Sequence, residues 1–238
     1  MFDPNDLERL VSNERFGTYV TECSGDRERA ASLYQWTGQI GGALLADFRH
    51  LEVVFRNTIH NALTAHHNTL PNRPLGAQWF DNPAWVRHHW WDKHATAALN
   101  DATRRVGHQP GSNPRPSAVI AELNFGFWRY IVSARYEQSF WVPALDHADW
   151  TIPGSSPPAR RLRLDKNIRV LHKLRNRIAH HEPFFAPTTF IGQGKRTLRY
   201  TLNDQTEMLH EVLHWIDPAF AAIARSESNV YPLLRTRP

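Results

Sequence analysis

Between residues 26 and 66 apolar side chains recur at intervals of three and four: Leu33, Trp36, Ile40, Leu44, Phe48, Leu51, Phe55, Ile59 and Leu63. Only an α-helix brings such a series to one face, because its turn of about 3.6 residues sets positions i, i+3, i+4 and i+7 side by side. A stripe from Leu33 to Leu63 predicts a helix roughly 45 Å long at about 1.5 Å per residue, and one that other elements must cover along its length. Gly41 and Gly42 fall inside it, where they allow a bend or the close approach of a second helix.

Three Pro-rich breaks, Pro71 to Pro74, Pro110 to Pro116 and Pro153 to Pro158, divide the remainder of the chain. Helical patterning is expected at 79–106, where the start is aromatic, and at 117–145, which carries Phe125, Phe127, Trp128, Ile131 and Tyr136 and is open to interruption at Gly126. Leu164, Ile168, Leu171, Leu174 and Ile178 repeat at three and four through 160–180, and Pro183 ends that helix. A last helix is expected over 204–225, with acids in its first turn and Met208, Val212, Trp215 and Ile216 on its apolar face. Between 184 and 201 the periodicity lapses; the weak alternation at 195–201 is taken as loop, with a short β-hairpin arm near 190–202 as the alternative. The expectation is an all-α helical bundle with Pro-rich connectors, forming a single domain over residues 1–238.

With 238 residues the chain can bury a core without disulfides or metals. A single cysteine, Cys23, cannot pair internally or build a Cys-rich zinc site, and it is expected to be a small core or surface residue. The first ten residues carry acids and a proline where a secretion signal needs a basic start and an apolar run, and no run approaches the ~20 apolar residues of a membrane span. A cytoplasmic location and no membrane partner are therefore expected. Nine tryptophans predict large interlocking side chains between helices. The 28 Lys and Arg against 23 Asp and Glu give a net charge of +5, which permits a polyanionic partner without requiring one.

The segment from Leu174 reads Leu-Arg-Asn-Arg-Ile-Ala-His-His-Glu-Pro. Five positions on an α-helix turn through ~500°, which leaves Arg175 and His180 about 140° apart and roughly 7.5 Å along the axis, whereas Asn176 and His180 share a face. Near the helix's C-terminal end, unpaired carbonyls favour a protonated imidazole, and a histidine is the side chain best suited to shuttle a proton at neutral pH. A guanidinium offers a planar fork for a phosphodiester. Together they could activate a ribose 2′-hydroxyl and steady a pentacoordinate phosphate without a metal or other cofactor.

Arg175 and Asn176 followed by His180 resemble the Arg-polar-x-x-x-His signature of the HEPN superfamily, and Arg175 to Pro183 is similar to the Abi-like, abortive-infection family within it. Leu51-Glu52-Val-Val-Phe55-Arg56-Asn57 and Glu122-Leu-Asn-Phe125-Gly126-Phe127-Trp128 look like two further blocks of that family. The resemblance implies a helical, metal-independent endoribonuclease in anti-phage defence, a toxin restrained by an RNA or protein antitoxin. It commonly acts as a homodimer with two Arg-His motifs facing one cleft. It also implies that Arg175 binds phosphate, Asn176 orients the site and His180 is the acid or base. A helical RNA-binding protein without catalysis, regulated by or regulating a small structured RNA, is the alternative.

Around the motif, Glu52 and Arg56 are placed to form an i,i+4 ion pair or to support Arg175 and His180. His181 and Glu182 are either solvent-exposed or supporting groups, and Arg177 is a solvated charge or a contact to the RNA backbone. Phe125, Phe127 and Trp128 could stack bases, but such spacing usually marks core. His210 and His214 have the spacing of a zinc pair without a third ligand, so no metal site is assigned. Gly38 to Gly42 lacks the lysine of a phosphate-binding loop.

Overall fold

The computed structural model describes residues 2–71, 78–81, 93–107, 116–191 and 197–238, and it is mostly helical. Helix α3, Arg27–Thr69, is unbroken, and all nine residues of the apolar stripe are buried in it. Two short helices precede it, α1 over Pro4–Val11 and α2 over Asn13–Glu22. Asp3 caps the first through the Asn5 amide, and Ser12, at φ 86°, caps the second through the Arg15 amide. The expected helix over 79–106 is described only in part, as the single turn Trp79–Asp81 and α4, Lys93–Arg105; the stretch 82–92 lies outside the described residues.

The helix expected over 117–145 is broken into α5, Pro116–Glu122, and α6, Phe125–Ile131, followed by short 3₁₀ and π turns. The break falls at Asn124, whose side chain accepts the Phe127 amide at 3.0 Å and starts a new helix, so Gly126 lies inside α6 and interrupts nothing. Helix α7 runs Pro157–Ala179. The last expected helix is likewise divided, into α8 over Leu202–Ile216 and α9 over Pro218–Ser226, with α10, Val230–Arg235, beyond it; Pro218 takes the first position of a helix, where its missing amide costs nothing. Between α7 and α8 the hairpin alternative is the one realised: β1, Thr188–Ile191, pairs antiparallel with β2, Thr197–Tyr200, with Thr188 opposite Tyr200. No helix among the described residues is long and apolar enough to cross a membrane.

The chain divides into two compact units. The first comprises Met1–His50, Lys173–Glu211 and Ala219–Pro238. Tyr19 packs there against Tyr34 and Phe185, with ring centroids 5.3 and 5.1 Å away, and burial raises its phenol pKa. Ile178 of α7 and Phe184 pack over Gly41, where an added β-carbon would make ordinary van der Waals contact with both at 3.4 Å. Cys23 is buried, which raises its thiol pKa. A polar knot joins α3 to the C-terminal helices: the Ser228 hydroxyl donates to Asp47 Oδ2 at 2.6 Å, and His210 Nε2 lies 3.4 Å from the same oxygen.

The second unit comprises Leu51–His172 and Val212–Pro218. Its core is tryptophan-rich, as the composition predicts. Trp79 meets Trp128 edge-on and donates its indole N–H to His60 Nδ1 at 2.9 Å, while Trp141 stacks on Trp150. Phe125, Phe127 and Trp128 are buried in this core and offer no face for a base. Two arginines at the start of α7 are neutralised locally, Arg160 by a bidentate contact to Asp146 and Arg161 by Glu137 at 2.6 Å.

Candidate functional site

The motif occupies the last turn of α7 and the residues just beyond it, all within the first unit. Its end is a Schellman closure. The His181 amide donates to the Ile178 carbonyl at 3.0 Å, the Glu182 amide donates to the Arg177 carbonyl at 2.8 Å, and His181 itself adopts φ 56° in the left-handed region. Glycine ordinarily fills that position because it has no β-carbon to clash; here a histidine does, and Pro183 two residues later keeps the helix from resuming. His180 is the cap residue, its amide still bonded to the Asn176 carbonyl at 2.9 Å.

That hydrogen bond keeps α-helical geometry through His180. Asn176 and His180 therefore stand one above the other on one face, and Arg175 points about 140° away from His180. His180, His181 and Glu182 are exposed, whereas Arg175, Asn176 and Arg177 are half-buried. The helix thus sets Asn176 and His180 on one face, and the Cα–Cβ direction of Arg175 on another.

Arg177 turns back on its own chain. It donates to the Pro183 carbonyl and, at 3.5 Å, to the Thr188 hydroxyl, and its Nε lies 3.8 Å from Glu182. Burial lowers its pKa and the Glu182 carboxylate opposes that shift, so this cation is used to fold the 182–188 segment against the helix. Lys173, one turn earlier, donates to the Thr189 carbonyl at 3.1 Å and fastens β1 to α7 in the same way. On the other side of the turn Arg15 of α2 donates to the His181 carbonyl at 2.6 Å and reaches the His180 carbonyl at 3.5 Å.

Neither Arg15 nor Lys173 stands out in the sequence. Arg15 lies 165 residues from His180, and no local pattern links the two. Lys173 faces a hairpin whose strands have four residues each, too short for a firm period.

Glu52 and Arg56 lie on the part of α3 that belongs to the second unit; both are half-buried, and Arg56 Nε is sealed without a hydrogen-bond partner among the described residues. Glu122 is exposed and pairs with Arg105 at 3.4 Å. His210 is buried beside Asp47 while His214 is exposed, and among the described residues no group of three or more His, Cys, Asp or Glu could hold a metal ion.

No family model matches the chain, and neither a curated protein nor a solved structure shows significant similarity to it.

Proposed function

We propose that the chain is a metal-independent endoribonuclease of the abortive-infection type, with His180 as the proton-transferring group, Asn176 orienting the site and Arg175 holding phosphate. The observation that supports this is the presentation of His180. Its imidazole is exposed on a helix cap fixed by a Schellman closure and by Arg15, with Asn176 directly below it. A proton shuttle needs such a group, accessible to substrate yet held by its backbone.

The resemblance implies a homodimer, and with Arg175 and His180 diverging by ~140° on one helix such a dimer would let the guanidinium facing a given imidazole come from a second copy of the chain. A homodimer is therefore part of the proposal, as is an antitoxin that restrains the dimer. His180→Ala is expected to abolish cleavage of labelled RNA in the presence of chelator and to relieve growth arrest on expression, with the thermal melt unchanged. A variant that cuts RNA at the wild-type rate removes His180 from the mechanism.

The same divergence favours a second reading, an RNA-binding protein without catalysis, tied to a small structured RNA. Retention of RNA without chelator-resistant cleavage by the wild-type protein would select it.

A further inference from the structure

The chain's positive charge resides in one helix. Helix α7 holds eight of the 28 Lys and Arg and one of the 23 Asp and Glu, a net +7; the remaining 20 basic and 22 acidic residues sum to −2. Several of the eight are committed to the fold: Arg160 to Asp146, Arg161 to Glu137, Lys173 to the Thr189 carbonyl, and Arg177 to Pro183 and Thr188. Arg163, Lys166 and Arg169, all in the second unit, are exposed, Arg169 with an i,i+4 ion pair to Asp165.

Three-residue spacing sets these side chains within an arc of about 120° on α7, with a rise of roughly 4.5 Å between successive members. The helix's one acid, Asp165, is turned inward. It is buried, burial raises its pKa, and its approach to Arg169 is only 4.0 Å. Like charges three apart weaken a helix rather than support it. A row of them on the solvent side of a chain that is otherwise slightly acidic suits a partner whose own charges repeat. Leu162, 40% exposed on the same arc, is a single apolar contact and no anchor pocket for a folded protein.

We propose that the Arg163, Lys166 and Arg169 face of α7 binds the sugar-phosphate backbone of RNA, the three cations contacting phosphates of one strand without reading sequence. This rests on the reading that RNA is the partner, but not on catalysis. Phosphate contacts of this kind release counterions, so affinity falls with salt by a slope of about −0.7 per contact for a single strand.

The test uses the full chain, a labelled single-stranded RNA of mixed sequence, and salt from about 50 to 200 mM. Replacing the three residues together by Gln, with the Glu triple as a stronger version, is expected to raise Kd at least tenfold at the lowest salt. It should also make the log–log salt slope about two units shallower. Circular dichroism establishes that each variant is folded, and single Gln substitutions, each expected to remove about 0.7 of slope, stand in for any triple that is not. An unchanged slope in folded variants overturns the proposal, and so does tighter binding of anionic phosphatidylserine vesicles. Wild-type protein that binds RNA through this face but never cuts it leaves the proposal standing and removes the nuclease. Cleavage with an unaltered triple variant does the reverse, and no RNA binding at low salt removes both.

Discussion

The Arg15 guanidinium donates to the His181 carbonyl at 2.6 Å, tying the second helix of the chain to the residue just past the end of α7. A helix end exposes carbonyls that no later amide satisfies, and a cation placed there answers both their hydrogen-bonding need and their partial negative charge. Arg15 therefore sets the turn on which His180 is displayed. Arg15→Ala is expected to cost about 1 kcal/mol of stability, the net worth of an ordinary hydrogen bond, and to speed hydrogen exchange at the 180–182 amides. If RNA cleavage is present it should fall mainly in kcat, with partial recovery in Arg15→Lys. Unchanged exchange at those amides would show that the turn holds itself.

The legibility of fold and site in the sequence divides along physical lines. The stripe from Leu33 to Leu63 and the repeat from Leu164 to Ile178 are legible because each helix must bury one face over many turns, and that demand is written every three or four residues. The helices of Pro4–Val11 and Asn13–Glu22 are not, since eight and ten residues hold too few repeats to stand above chance. Asn124 is legible in principle: an asparagine before an aromatic run is a common N-cap, but the glycine two residues on is the more conspicuous helix breaker. Pro218 likewise marks the break after Ile216. Within the site, the Arg-Asn…His spacing is visible, but the pinning of its turn is not, because Arg15 acts on backbone carbonyls that carry no side-chain signature.

His181 offers a test of the cap geometry itself. Its φ of 56° is a conformation that a residue with a β-carbon holds at a cost of roughly 1 kcal/mol. His181→Gly is expected to keep the fold and to raise stability by up to about 1 kcal/mol, less what the more flexible unfolded chain gives back. A loss of RNA cleavage in a stabilised His181→Gly would assign the imidazole a part in the chemistry; loss of stability would show that this turn is not the Schellman closure described.

In the second unit, His60 links stability to pH. Its Nδ1 accepts the Trp79 indole N–H, which requires the neutral ring, and burial lowers its pKa below the ordinary value of 6.5. A depressed histidine pKa means that the unfolded chain takes up the proton first. The stability is thus complete above about pH 6.5 and is lost as the pH falls through the folded-state value. Urea melts from about pH 7.5 to 5 should show this decline, and His60→Gln, which keeps an acceptor for Trp79 but does not titrate, should show a shallower one. Equal slopes in the two proteins would exclude His60 as a source.

The knot around Asp47 predicts an ordering of costs. Asp47 is buried with its side chain 6% exposed, and its Oδ2 receives the Ser228 hydroxyl at 2.6 Å and faces His210 Nε2 at 3.4 Å. The same hydroxyl accepts the Val230 amide at 3.2 Å, so one serine both serves a buried carboxylate and holds the first turn of α10. Ser228→Ala leaves the carboxylate short of a donor, at about 1–3 kcal/mol. Asp47→Ala removes the acceptor of the buried Ser228 hydroxyl, opens space and strips His210 of its neighbour, so it is expected to cost more than Ser228→Ala. Because the two side chains share one hydrogen bond, the double variant should cost less than the sum of the singles by at least about 0.5 kcal/mol. Additive losses in urea denaturation would mean that Ser228 and Asp47 stabilise the chain independently, and the knot would then be two separate contacts.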